Sequence, residues 1–383
     1  MLELRKFVAP EFVFGPGAST LIGRYLANFG AGKVLIVTDP GIIAAGWTEK
    51  ISDLINKEGI DCAVFSGVSA NPRSAEVMAG AEFYHENRCD IIVAVGGGST
   101  MDCAKGIGIV TTNQKHILSF EGIDRVPIPG PPLICIPTTA GTSADVSQFA
   151  IITDEEQGVK IAIISKTTVP DVALIDSKTT MTMSHYLTAC TGMDALVHAI
   201  EAYVSTANSP IYDLHALEAI RLVSANILPV LIDPDNINLR NKVMMGSLQA
   251  GLAFSNASLG AVHAMAHSLG GLHDLQHGEC NAILLEHVIA YNFRVAADRY
   301  IKIGEALNLD LKNCRTEDAK DMVVSEIRRL KRSLGIQKTL GEIGLKRADI
   351  PALALKAMKD PCMVTNPRVP TERDIEVIYE EAL

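Results

Sequence analysis

The segment HAMAHSLGGLHDLQH, residues 263–277, holds four of the chain's ten histidines. They form two i, i+4 pairs, His263 with His267 and His273 with His277, and residues at that spacing share a helix face. Imidazoles so concentrated can bind a metal, relay protons or do neither. Upstream, GMDALVHAIEAY (192–203) sets Asp194 and His198 four apart, about 40° from each other around a helix axis. A carboxylate and an imidazole on one face can share a cation, although such a pair also serves as an ordinary salt bridge. Around the later histidines, SLGAVHAMAHSLGG (258–271) is otherwise small and apolar, so imidazoles buried there require partners. One aspartate with three histidines offers an oxygen and three nitrogens and leaves room for an exogenous oxygen ligand. That set suits Fe(II), Zn(II) or a related divalent ion. HAMAH lacks the glutamate of HExxH, which disfavours a zincin-type peptidase.

A second kind of chemistry is written in the first half of the chain. In VAVGGGSTMDCAKGIG (93–108) an apolar run leads into Gly96-Gly97-Gly98-Ser99, and a helix then opens through Met101, Asp102 and Ala104. Glycines let backbone approach a pyrophosphate, and a helix N-terminus presents free N–H groups and a positive dipole end. The loop is neither a Walker A sequence nor GxGxxG. Asp39 ends the run KVLIVTD (33–39); an acid there accepts from a ribose and repels a 2′-phosphate, favouring NAD over NADP. The same carboxylate also suits a helix cap before Pro40-Gly41. IPTTAGTSADVS (136–147) adds a hydroxyl-rich loop that can line a nucleotide or be a plain polar turn. FGPGAST (14–20) reads as a turn with little sheet context.

These residues need elements to hold them. KVLIVTD (33–39), CAVFSG (62–67), DIIVAVGG (90–97) and PLICIPTT (132–139) read as buried strands, and 46–58 and 73–88 carry helical spacing. Such alternation predicts a parallel sheet covered on both faces. IAIIS (161–165) and VALID (172–176) extend the strand content. From about residue 185 the pattern turns helical throughout, so the expected domains are an α/β domain over 1–183 and an all-helical one over 184–383, with a cleft between them.

Bulk properties narrow the function. The chain has 383 residues, 48% apolar and 20% charged, and a net charge of -10. Those values describe a globular protein and argue against nucleic acid or an anionic membrane as partner. No stretch approaches about 18 consecutive apolar residues, so no membrane span is expected, nor is the N-terminus apolar enough for a signal peptide. Eight scattered cysteines without a CxxC pair suggest reduced, buried thiols and a cytoplasmic location.

Taken in order, FGPGA, VTDPGI, NPR, GGGSTMDCAK, IPTTAGTSAD, DEEQGVK, TGMDALVHAIEAY, GAVHAMAH, HGECNAILL and DPCMVTNPR resemble the iron-containing (group III) alcohol dehydrogenases through nearly the whole chain. The resemblance implies a dehydroquinate synthase-like fold, with a Rossmann-like α/β dinucleotide-binding domain and an all-α metal-binding domain. By position it implies Asp194, His198, His263 and His277 as ligands to one divalent metal, Fe(II) or alternatively Zn(II). It implies that NAD(H) contacts Asp39, Asn71, Gly97, Gly98, Ser99, Asp102, Thr138, Thr139, Thr142 and Lys160. His267 matches the family's histidine beside the nicotinamide and is expected to relay the alcohol proton, while His273 matches no ligand. Phe149, Phe254 and Cys362 are expected at the substrate pocket. The implied reaction is reversible hydride transfer between a small primary alcohol or diol and NAD; a homo-oligomer is expected on general grounds. A glycerol or polyol dehydrogenase is the near alternative; a non-redox NAD-dependent lyase of the dehydroquinate synthase type would need a basic cluster that the helical half lacks. Two positions depart from the family pattern: Asp145 stands where glutamate is common, and Gln276 where a proline often precedes the last ligand.

Overall fold

The computed structural model describes residues 4–273 and 275–383, and of residues 271–273 the backbone alone. The chain forms two compact units, Val8–Met183 and Ser184–Leu383, the latter joined by the N-terminal residues up to Phe7.

In the α/β unit the strands are β1 (Glu11–Phe14), β2 (Lys33–Val37), β3 (Asp61–Phe65), β4 (Ile91–Gly96), β5 (Gly122–Ile123), β6 (Leu133–Pro137), β7 (Phe149–Asp154), β8 (Val159–Ile164) and β9 (Val172–Ile175). Its helices are α1 (Ile22–Phe29), α2 (Pro40–Ala44), α3 (Trp47–Lys57), α4 (Ser74–Glu86) and α5 (Gly98–Asn113). Six strands make a parallel sheet in the order β1-β9-β6-β4-β2-β3. Alternate residues serve opposite faces. Leu35, Val37, Ile92 and Ala94 pack with Val77 of α4 and Ile107 of α5, while Val34, Ile36, Ile91 and Val93 pack with Leu26 of α1 and Ile51 of α3. The near-continuous apolar strands of the sequence follow from this double cover. From β2 the chain proceeds to β3 on one side, and β4 lies on the other. The loops after β2 and β4 therefore flank a topological switch point, where open α/β sheets bind ligands.

Two β features were not expected. Glu11–Phe14 is an edge strand paired with β9, so FGPGAST does have a sheet context. The turn reading of its glycines stands: Gly15 and Gly17 have φ of 137° and 98°, and Asp176 accepts from the Gly17 and Ser19 N–H groups. IAIIS is a strand, as its composition predicts, but it lies outside the main sheet. It belongs to β8, which joins β5 and an antiparallel β7 in a separate three-stranded sheet.

The helical unit comprises α6 (His185–Val204), α7 (Pro210–Ile232), α8 (Ile237–Ala257), α9 (Ala261–His273), α10 (His277–Asn292), α11 (Ala297–Ala306), α12 (Thr316–Ser333), α13 (Ile350–Ala357) and α14 (Glu372–Ala382). Residues 4–7 belong here rather than with the α/β span, because Phe7 packs against Tyr212 and His215 and the Tyr212 hydroxyl donates to the Lys6 carbonyl. Ser184 caps α6 through the Leu187 N–H. Beyond its first turn α6 is buried all round, the mark of a central helix. α7 has the length and apolar composition of a membrane span, but it lays Ala216, Ala219, Ile220 and Val223 into the core beside α6 and α8.

Candidate metal centre and nucleotide loop

Asp194 and His198 stand one turn apart on α6, as their spacing predicts, and both are almost fully buried. α9 brings His263 and the first residue of α10 brings His277. The Nε2 atoms of His198, His263 and His277 lie 4.0, 3.7 and 3.8 Å from Asp194 Oδ1. Ligands each about 2.1 Å from a common ion stand some 3–4 Å apart, so the spacing fits one cation among them. The His198 ring is stacked between Phe254, at 4.3 Å, and His263, at 4.4 Å.

The approach of α10 to α6 has a specific cause. A Cβ on Gly278 would meet the Cys190 carbonyl oxygen at 2.3 Å, so only glycine lets the first turn of α10 sit on α6 and place His277 there. Gln276, where a proline is common, caps α10 by accepting the Glu279 N–H at 2.6 Å.

Two further residues, which no motif singles out, join the cluster. Glu201, one turn beyond His198, accepts from the Val262 N–H at 2.7 Å and pairs with His263 Nδ1 at 2.6 Å. A carboxylate at Nδ1 leaves the Nε2 lone pair for a metal, the usual support of a ligating histidine. Asn281, one turn beyond His277, puts Nδ2 at 2.7 Å from Asp194 Oδ1, 3.2 Å from His263 Nε2 and 3.1 Å from His277 Nε2. One amide nitrogen carries two hydrogens and cannot serve three acceptors. Asn281 Oδ1 is itself buried without a hydrogen-bond partner among the described residues. A buried polar cluster left half satisfied in this way is costly, and a cation bound to the imidazole nitrogens would end their competition for the Asn281 amide hydrogens. The donor set therefore fits the metal. The signal for both residues was helical spacing: Glu201 is i+3 from His198, and Asn281 is i+4 from His277.

Charge follows the same geometry. Burial would raise the Asp194 pKa, but the three neighbouring imidazoles hold its carboxyl well below the usual range. Burial also opposes charging of His263, yet Asp194 and Glu201 prevail and lift it to about 9. His267, one turn along α9, is not in the ligand cluster. Its ring lies parallel to that of His277 at 5.3 Å, and Nδ1 pairs with Asp360 Oδ2 at 2.8 Å. Cys362 is buried, and burial with the Asp360 charge pushes its thiol up, which makes it apolar lining rather than a nucleophile. The His273 side chain lies outside the described residues.

In the α/β unit the expected nucleotide residues gather around the carboxyl ends of β2, β4 and β6. Gly97 caps α5. A Cβ on Gly97 would lie 3.2 Å from Thr139, and one on Gly98 would lie 2.8 Å from Thr142, so the glycine loop rests directly on the hydroxyl loop. Thr138 anchors that loop through its N–H to the Gly96 carbonyl, and its hydroxyl is buried without a partner among the described residues. The Ser99 hydroxyl accepts the Asn71 N–H at 3.3 Å, and Lys160 donates to Asn71 Oδ1 at 2.6 Å. Asp39 Oδ1 caps α2 by accepting the Ile42 N–H, and Oδ2 accepts the Thr100 hydroxyl at 3.1 Å. Burial raises Asp102 and Asp145 to about 6 and lowers the nearby Lys105. The Lys105 ammonium donates to the Ser147 carbonyl at 3.0 Å and the Phe149 carbonyl at 2.6 Å. Phe149 thus ties into the β7 support of the loop.

Residues 9–177 match the model of the iron-containing alcohol dehydrogenases, and residues 188–383 match that of the family's C-terminal domain. The chain belongs to the iron-containing alcohol dehydrogenase family. It is 40% identical to the 1,3-propanediol dehydrogenase of Citrobacter freundii over 96% of each chain. It is 36% identical to the NAD-dependent methanol dehydrogenase of Bacillus methanolicus, over 98% of this chain and 99% of that one. A crystal structure of 1,3-propanediol oxidoreductase superposes with a TM-score of 0.97 at 38% identity, covering all of both chains. As an iron-containing alcohol dehydrogenase the protein is an oxidoreductase, and the non-redox lyase alternative is set aside.

Proposed function

We propose that this chain interconverts a small primary alcohol or diol and its aldehyde with NAD(H), using one divalent metal held by Asp194, His198, His263 and His277. The observation that carries the reading is the convergence of three imidazole nitrogens on Asp194 Oδ1 within 4.0 Å in a chain of this family. When bound, the metal supplies Lewis acidity that acidifies an alcohol hydroxyl, and NAD supplies the hydride acceptor. Fe(II) is the proposed resident, with Zn(II) able to use the same donors.

The chain's residues do the rest. Glu201 holds His263 in the ligating tautomer, and Asn281 steadies the Asp194 carboxylate. The Gly97-Gly98-Ser99 backbone at the start of α5 binds pyrophosphate through free N–H groups, flanked by Thr138, Thr139 and Thr142. Asp39 binds the adenine-side ribose and disfavours a 2′-phosphate. Asn71, Asp102 and Lys160 serve the nicotinamide side. His267 accepts the hydroxyl proton. Phe254 and Cys362 give the alcohol an apolar surround, which favours short-chain substrates. The cysteines are all unpaired, as suits a cytoplasmic protein, and the open edge of β1 offers a surface for a homo-oligomer.

The test is an anaerobic panel of short alcohols, diols and aldehydes with NAD(H) and NADP(H), on protein reloaded with Fe(II) or Zn(II). NAD-linked turnover of a small alcohol or diol is expected. Protein that holds both metal and NAD yet turns over no member of the panel would defeat the reading.

A further inference from the structure

α9 carries two histidines one turn apart, and each has its Nδ1 paired with a carboxylate from another element. His263 pairs with Glu201 at 2.6 Å and His267 with Asp360 at 2.8 Å. The first pair is explained by the metal centre. The second calls for its own reason, because His267 lies outside the ligand cluster, edge-on to His263 at 6.0 Å and parallel to His277. Asp360 is fixed at both oxygens: Oδ2 meets His267, while Oδ1 accepts the Cys362 N–H at 2.8 Å and caps the turn Pro361–Thr365. Both side chains are less than a tenth exposed. A carboxylate so held accepts the Nδ1 hydrogen of the ring and leaves the lone pair on Nε2.

We propose that Asp360 is a positioning residue of the reaction, holding His267 in the Nδ1–H tautomer so that Nε2 receives the alcohol proton. The proposal rests on the relay role given to His267 above. In the oxidative direction the alcohol O–H bond breaks and an Nε2–H bond forms. The carbinol hydrogen leaves with its electron pair to reduce NAD, and the aldehyde is the oxidised product. The imidazolium that results has the Asp360 carboxylate as its counter-charge and passes its proton to water. An unpaired ring would sample both tautomers and turns, and part of its population would present an N–H where an acceptor is required.

Asp360→Asn is the direct probe, since an amide preserves the size and the cap but can donate to Nδ1 and select the Nε2–H tautomer. The expected result is a fall in kcat of roughly 10- to 100-fold, with KM for the alcohol, bound metal and NAD affinity within about twofold of wild type. Asp360→Glu, which restores an acceptor, recovers part of the loss. Nitrogen-15 spectra of the Zn(II)-loaded protein give a second readout that does not depend on the variant folding. Wild type shows His267 protonated at Nδ1, and Asp360→Asn shifts it to Nε2. A wild-type His267 protonated at Nε2 alone, or an Asp360→Asn enzyme with unchanged kcat, overturns the proposal. His267→Phe separates it from its premise. Full activity in that variant removes the relay itself, whereas a slow His267→Phe beside a normal Asp360→Asn removes the role of Asp360 alone.

Discussion

At the metal centre, side chains from α6, α9 and α10 are brought together and locked by buried polar partners. At the glycine loop, the surface proposed for the nucleotide is what Gly97 and Gly98 leave out, pressed against Thr139 and Thr142. The first site concentrates charge: an ionised Asp194, a His263 raised to about 9 and a Glu201 behind it. The second lies at a helix start, where backbone N–H groups have no partner within the helix, and the acids around it, Asp102 and Asp145, are pushed toward neutrality. A cation site needs donors with lone pairs and a supporting network. An anion site needs close backbone approach and little negative charge.

A matched pair of glycine substitutions would break the comparison most sharply. Gly278→Ala puts a methyl 2.3 Å from the Cys190 carbonyl oxygen, an unyielding backbone atom, so α10 must withdraw and take His277 with it. We expect about 1–3 kcal/mol of lost stability and metal retention reduced roughly 10- to 100-fold, measured by chelator competition, with NAD affinity intact. Gly98→Ala meets Thr142 at 2.8 Å. It should weaken NAD roughly tenfold, about 1.4 kcal/mol, as read by fluorescence titration, with metal content intact. If either glycine variant damaged both sites equally, the two could not be treated as separately built.

A smaller effect is predicted for pH. Burial raises the folded pKa of Asp145 to about 6, above its unfolded value near 4. The folded state therefore binds the extra proton, and stability falls as pH rises from about 4 through 6. The contribution is at most roughly 2–3 kcal/mol. Asp145→Asn should flatten the rise in thermal midpoint between pH 7.5 and pH 5; an unchanged slope would show that Asp145 does not carry it.

The sequence was most legible where residue type and period coincide. Asp194 and His198 on one helix face, the buried strands 33–39 and 90–97, and the glycine run before α5 all announce themselves by spacing. Less legible were contacts made across the chain. Glu201, Asn281 and Asp360 are ordinary polar residues until folding sets them against His263, Asp194 and His267. β1 is four residues long and partly exposed, too short to show a period. Asp39 caps α2 with one oxygen and turns the other to Thr100, so its cap does not exclude the ribose contact proposed for it.

The central claim is that Asp194, His198, His263 and His277 together hold the metal on which turnover depends. Its most direct test is metal analysis of chelator-stripped protein after reloading with Fe(II) or Zn(II), wild type beside His263→Ala, with NAD-linked alcohol turnover assayed on the same samples. One metal ion per chain and restored turnover in wild type, with both lost in His263→Ala while NAD binding persists, is the predicted result. A His263→Ala protein that retains both its metal and full turnover would contradict the account.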